Sequence, residues 1–166
     1  FPEKERKIWR KSGRPYELEI AKDNLSATDV IRLLSTETYF DLMKLPYPSN
    51  QNGVIEKFIN ENLVLKSQGY AVTNLGAILF AKNLAEFESV QRKSVRVIVY
   101  KGKNKVETER EQIGGKGYAI GFEGLVDWIN SQLPANEEIG KALRTESRMY
   151  PEIAVRELVA NALIHQ

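Results

Sequence analysis

One change of period most constrains what this chain can fold into. From Ser26 to Ile59 its apolar residues recur at helical spacing, and from Leu63 to Val72 they alternate. "NLSATDVIRLLS" sets Val30, Leu33 and Leu34 in a stripe behind Ser26, a natural N-cap with Asp29 three residues on. "TETYFDLMKL" repeats the pattern from Thr36 or Thr38, and Pro46 and Pro48 end it. "VIEKFINENLV" puts Val54, Ile55, Phe58 and Ile59 on one face of a third helix. "LVLKSQGYAVT" then reads as a hairpin turning around Ser67 to Gly69, after which Asn74 is expected to cap a further helix. Ahead of these elements, "YELEIA" reads as a short strand with Tyr16, Leu18 and Ile20 alternating.

Three short helices and a hairpin follow the order of a winged helix, a module that in several families lays its third helix in the major groove of DNA. Here the third helix carries Glu56, Lys57 and Glu61 and no arginine. Carboxylates face a polyanion badly, so packing or dimerisation suits this helix better than groove reading. Downstream, "KSVRVIVYKG" is apolar on both faces and is expected to be an interior strand. "NKVETEREQ" reads as a polar strand or connector, and a helix is expected from about Ile120 to Leu133. "NEEIGKALRTESRMY" reads as a polar connector or strand, and Pro151 opens a last helix. The fold class is therefore α/β in the broad sense (α+β).

Composition excludes several functions. The 166 residues contain no cysteine and one histidine, which removes disulfides, thiolate metal sites and multi-histidine metal sites. A net charge of +2 is too small to mark a nucleic-acid binder by itself. No apolar run approaches the roughly 18 residues that suggest a membrane span. The start "FPEKERKIWRK" has no apolar signal core and no initiator Met, so the chain is expected to be a soluble internal piece of a longer protein, and the absence of cysteine suits a cytoplasmic one. The glycines at 114, 115, 117, 121 and 124 do not make a phosphate loop. "GKGYAIG" has three residues where the dinucleotide fingerprint has two, and Lys116 is followed by Gly117 instead of Ser or Thr. They are expected to serve positive φ or close backbone approach.

In the last helix Glu157, Asn161 and His165 recur every four residues, while Ile153, Leu158, Val159, Leu163 and Ile164 cover most of the remaining surface. A helix apolar nearly all round is expected to be buried, with polar cover over the stripe. Bare spacing leaves two readings open. Such stripes are common on half-exposed structural helices, yet a carboxylate and an amide one turn apart also suit Mg²⁺ and a positioned water.

The closing segment "YPEIAVRELVANALIHQ" resembles the N-box of GHKL-type ATPases. It is most similar to the version in bacterial proteins that join an Alba-like (Schlafen-type) domain to such an ATPase, described as transcriptional regulators or RecG-related ATP-dependent helicases. "YFDLMKLPYP", "VTNLGAILFAKNL", "RKSVRVIVYKGKN", "EREQIGGKGYAIGFEGLVDWIN" and "LPANEEIGKALR" resemble the same family, from about residue 4 to the end. The resemblance implies that Glu157 orients or activates the attacking water and that Asn161 binds Mg²⁺. His165 lies with Asn161 on the cofactor side and matches a histidine frequent in the subgroup. It implies ATP and Mg²⁺ in a full-length parent, with this piece catalytically inactive and holding no cofactor itself. With no Walker lysine, nothing supports a helicase motor.

The expected organisation is a linker or trailing element at 1–22, a winged-helix-like module at 23–83, an α/β segment at 84–149 and the first ATPase helix at 150–166. DNA or RNA contacts are assigned to the basic residues Lys7, Arg10, Lys11 and Arg14 and to Arg92, Lys93, Lys101 and Lys103. The stretch containing the first four also fits a solvated helix end or linker. An autonomous winged-helix binder and a homodimerisation scaffold are the alternatives, and no membrane partner is expected.

Overall fold

The computed structural model describes residues 15–103, 105–139 and 144–165. Helix and strand are mixed in it (α+β), and its chain divides into two compact units. The first runs to Val95 and takes in Gly115–Ile120; the second comprises Arg96–Gly114 and the chain from Gly121 onward.

In the first unit, strand β1 (Ile20–Leu25) leads into α1 (Ala27–Leu33), α2 (Thr36–Leu42) and α3 (Gln51–Asn60). The start of α1 is a capping box. Ser26 Oγ accepts from the Asp29 N–H at 3.1 Å, and the Ser26 N–H donates to Asp29 Oδ2 at 3.0 Å. Asn50 caps α3 in the same way, its Oδ1 accepting from the Gly53 N–H at 2.8 Å. The hairpin strands β2 (Val64–Lys66) and β3 (Tyr70–Thr73) follow, with Val64 opposite Val72 and Leu65 opposite Ala71. β1 joins β3 antiparallel, giving the order β1-β3-β2.

One side of this sheet faces the helices through Val64 and Val72, which join Val30, Leu33, Val54 and Phe58 in one core. Tyr39 is the hub of its aromatic part. The ring sits edge-on to Phe40, Phe58 and Phe80 at centroid distances of 5.2, 5.1 and 5.7 Å. Phe80 ends α4 (Asn74–Phe80).

Two local expectations are corrected. Residues Tyr16–Leu18 form a 3₁₀ turn, because the Leu18 N–H reaches back to the Pro15 carbonyl at 2.9 Å; the strand starts only at Ile20. Thr73, not Asn74, caps α4, its Oγ1 accepting from the Gly76 N–H at 3.0 Å. Asn74 is fully buried and fastens distant chain. Its amide donates to the Tyr16 carbonyl at 2.9 Å, and its Oδ1 accepts from Ser89 Oγ at 2.6 Å.

The unit also continues past residue 83. Leu84, Phe87 and Val90 are fully buried at every third position, the spacing at which 3₁₀ turns stack their side chains. Gly117 packs against the backbone of Leu79, where an added Cβ would lie 2.5 Å from the carbonyl oxygen. Close approach therefore explains Gly117. It does not explain Gly115, Gly121 and Gly124, which face open space; among the described glycines only Gly102 has a left-handed φ, +68°.

Strand β4 (Val95–Tyr100), which belongs to the second unit from Arg96 on, pairs with β5 (Thr108–Gly114) as a two-stranded sheet, so β4 is not the expected interior strand. Its apolar residues are only half-covered, and Arg96 Nε donates to Glu111 Oε1 at 2.5 Å. Helix α5 (Tyr118–Gln132) belongs to this unit from Gly121 on. Two strands from the polar stretch after it, β6 (Ala135–Ile139) and β7 (Arg144–Arg148), pair antiparallel, with Ala135 opposite Arg148. Helix α6 (Glu152–Ile164) closes the unit, packing on α5 with no division at residue 150. No described helix is long and apolar enough to cross a membrane.

Candidate functional site on the terminal helix

Pro151 precedes the first turn of α6 with φ −59°, and its carbonyl accepts from the Ala154 N–H at 3.0 Å. Proline suits this place because a helix start leaves its first N–H groups unused. The helix turns Val155, Val159 and Leu163, four residues apart, onto Phe122, Leu125, Val126, Ile129 and Leu133. Val126 is fully buried there.

A second device fixes the rotation of α6. The Arg156 guanidinium forks onto the Glu123 carboxylate at 2.7 and 2.6 Å and lies 5.2 Å from the centre of the Phe122 ring. The hydrogen bonds from Arg156 hold the Glu123 carboxyl below its ordinary range, and Glu123 raises Arg156 in turn. Both side chains are partly in water, so the pair orients more than it stabilises.

With that face docked, Glu157, Asn161 and His165 lie on the side of α6 that α5 does not cover, and all three are exposed. Around them Ile153, Leu158 and Ile164 are 66, 70 and 72% exposed. The expected burial of α6 is thus corrected to burial of one face, because a single neighbouring helix can cover only one stripe. The Glu157 carboxylate, the Asn161 amide and the His165 ring make no hydrogen bond or ion pair among the described residues. At four-residue spacing their Cβ atoms sit about 5–6 Å apart, close enough for the Glu157 and Asn161 oxygens to share one ligand. They form no cluster of three or more acidic, histidine or cysteine side chains with other described residues. What α6 supplies is a carboxylate and an amide oxygen, the hard donors that Mg²⁺ takes, so the residues present fit part of a Mg²⁺ shell.

The described basic candidates fall in both units. Arg92 and Lys93 lie on a 3₁₀ turn of the first unit, Gln91–Lys93, where the Lys93 carbonyl accepts from Tyr118 Oη at 2.7 Å and its ammonium lies 5.9 Å from the Tyr16 ring centre. Lys101 and Lys103 lie in the exposed turn after β4, in the second unit. Lys7, Arg10, Lys11 and Arg14 fall outside the described residues. On α3, Lys57 is held by Glu61 at 2.9 Å, and Tyr39 Oη donates to the same carboxylate at 3.1 Å. The two bonds lower the Glu61 pKa, and the lysine is committed within its own helix.

Sequence reasoning missed the Arg156–Glu123 clamp, whose partners are 33 residues apart, and a cleft on the outer side of the three-stranded sheet. The second had a readable signal, since Leu65 and Ala71 make the hairpin apolar on both faces. Comparisons with family models, curated proteins and solved structures find no match for this chain.

Proposed function

We propose that α6 forms one wall of a Mg²⁺–nucleotide site in a cytoplasmic, ATP-binding, nucleic-acid-associated regulator of the GHKL type. The observation that carries this reading is the uncovered stripe of Glu157, Asn161 and His165, whose side chains have no partner among the described residues while the opposite face of the same helix is docked. Mg²⁺ needs few protein ligands because it keeps waters and takes phosphate oxygens. Asn161 Oδ1 would hold the ion, which when bound neutralises phosphate charge. Glu157 would accept a hydrogen bond from the attacking water and orient it, and His165 would border the nucleotide one turn further on. The Arg156–Glu123 clamp serves this role by fixing the turn of helix on which Glu157 stands. The exposed Ile153, Leu158 and Ile164 fit a site whose remaining walls pack on the same face.

The first unit we read as a winged-helix-like module with a packing role, α1 to α3 followed by the β2–β3 hairpin. The commitment of Lys57 to Glu61 speaks against groove reading by α3. Nucleic-acid contact falls instead to Arg92, Lys93, Lys101 and Lys103 and to the basic residues before Pro15. A second reading, a homodimerisation scaffold, is favoured by the same exposed apolar side chains of α6. A mass by light scattering that doubles with concentration would support it.

The test is calorimetric titration of Mg·ATP into this chain and into one carried past Gln166, each with and without Asn161→Ala. Binding by the longer chain, weakened at least tenfold by the substitution, is the expected result. No binding by either chain would reduce the stripe to a structural feature.

A further inference from the structure

Among the asparagines of the sequence only Asn52 is followed by glycine. The pair stands in the first turn of α3, with Asn52 exposed and its amide in no hydrogen bond among the described residues. Glycine at 53 answers to packing. A Cβ there would lie 3.0 Å from Pro48 Cβ and 3.3 Å from Asn50 Oδ1, so the chain entering α3 leaves little room for a side chain. The same bare glycine leaves its backbone nitrogen unshielded toward the side chain before it. An asparagine amide carbon is open to attack by the next backbone nitrogen, and a bulky following residue is what ordinarily hinders the approach.

We propose that Asn52 is a site of spontaneous deamidation and that the cap of α3 holds the reaction back. The Gly53 nitrogen bonds to Asn52 Cγ and gives up its proton, the Cγ–Nδ2 bond breaks, and the amide nitrogen leaves as ammonia with a proton returned by solvent. Water then opens the cyclic imide at either carbonyl, giving an aspartate or an iso-aspartate in place of Asn52.

Two features of the native helix oppose the first step. The Gly53 N–H donates to Asn50 Oδ1 at 2.8 Å, so the attacking nitrogen is tied to the cap. Ring closure also needs Asn52 Cβ and the Gly53 nitrogen nearly eclipsed about the Cα–C bond, and a helical ψ of about −42° keeps them apart. The reaction therefore runs through molecules whose first turn has opened, and its rate counts those openings. The two products differ in consequence. Asn52→Asp adds a carboxylate to a first turn that holds no acidic residue, where the helix dipole favours it. The iso form inserts a methylene into the main chain just ahead of the buried Val54 and Ile55. The site is independent of the stripe on α6, so the two readings stand or fall separately.

The test is incubation of the full chain at mildly alkaline pH, native and in urea, with ammonia release and peptide mapping of residue 52 followed over time. Aspartate and iso-aspartate should accumulate there in urea, and far more slowly in the native chain. Asn50→Ala removes a cap worth about 1 kcal/mol and should raise the native rate about fivefold while leaving the rate in urea unchanged. Asn50→Asp keeps a capping oxygen and should leave the native rate as it is. No product at residue 52 in urea would remove the site. Equal rates in the native and denatured chain, a comparison that needs no variant, would overturn the guarding role of the helix. A folded Asn50→Ala chain that reacts no faster than the parent would overturn the role of the cap.

Discussion

Replacing two adjacent residues of α6 separates its docked side from its open side. Val159 is 9% exposed against α5, and Leu158 beside it is 70% exposed. Val159→Ala removes two methyl groups, each worth about 0.8 kcal/mol of burial, so the transfer loss is about 1.6 kcal/mol. The cavity left behind adds a few tenths, to about 2 kcal/mol. Alanine is the better helix former by about 0.5 kcal/mol, so the net loss is about 1.5 kcal/mol, roughly tenfold in the opening of the helix. Leu158→Ala strips a larger side chain yet should stay within about 0.5 kcal/mol, since most of that leucine is already in water. Amide hydrogen exchange along Val155 to Leu163 reads both variants. Protection should fall about tenfold in the first and hold in the second. Equal losses would refute the reasoning, because they would mean that the Leu158 side of α6, and with it the Glu157–Asn161 stripe, is covered in solution. No loss with Val159→Ala would mean that something other than α5 holds the helix.

Two further outcomes follow from the first unit. Gly76→Ala should destabilise by about 2 kcal/mol despite the better helix propensity of alanine, because the new Cβ collides with the Leu63 carbonyl; a urea midpoint that holds or rises would show that the backbone yields. Ser26→Ala should lose about 1 kcal/mol at neutral pH through the broken cap of α1. The side-chain and backbone hydrogen bonds of Ser26 hold the Asp29 carboxyl below its ordinary range. Only the part that the carboxylate carries, the bonds it accepts from Ser26, titrates: it is complete above the unfolded-state pKa of about 4 and fades as pH falls through the lower folded-state value, while the Asp29 N–H bond to Ser26 Oγ persists. Urea midpoints of the two proteins should draw closer on acidification without meeting, and a gap that widens would contradict the cap.

The sequence by itself determined what depends on a few neighbouring residues. Ser26 and Asp29 meet three residues apart, so the capping box and the start of α1 were readable from spacing. The Val30–Leu33 and Val54–Ile55–Phe58 stripes and the turn between β2 and β3 were readable for the same reason. So was the alignment of Glu157, Asn161 and His165, which needs only the helical period.

Tertiary structure decided which of two adjacent residues caps α4. Thr73 and Asn74 are both good capping types, and Asn74 was diverted to the Tyr16 carbonyl, 58 residues away. It decided that β4, apolar on both faces, pairs with β5 in a two-stranded sheet. It also decided which side of α6 is open. An apolar pattern all round a helix records only that burial would be favourable, and α5 covers one stripe. Hydrogen-bond partners and covering surfaces far along the chain leave no periodic mark in a sequence, because the energy that selects them exists only once the distant segments have met.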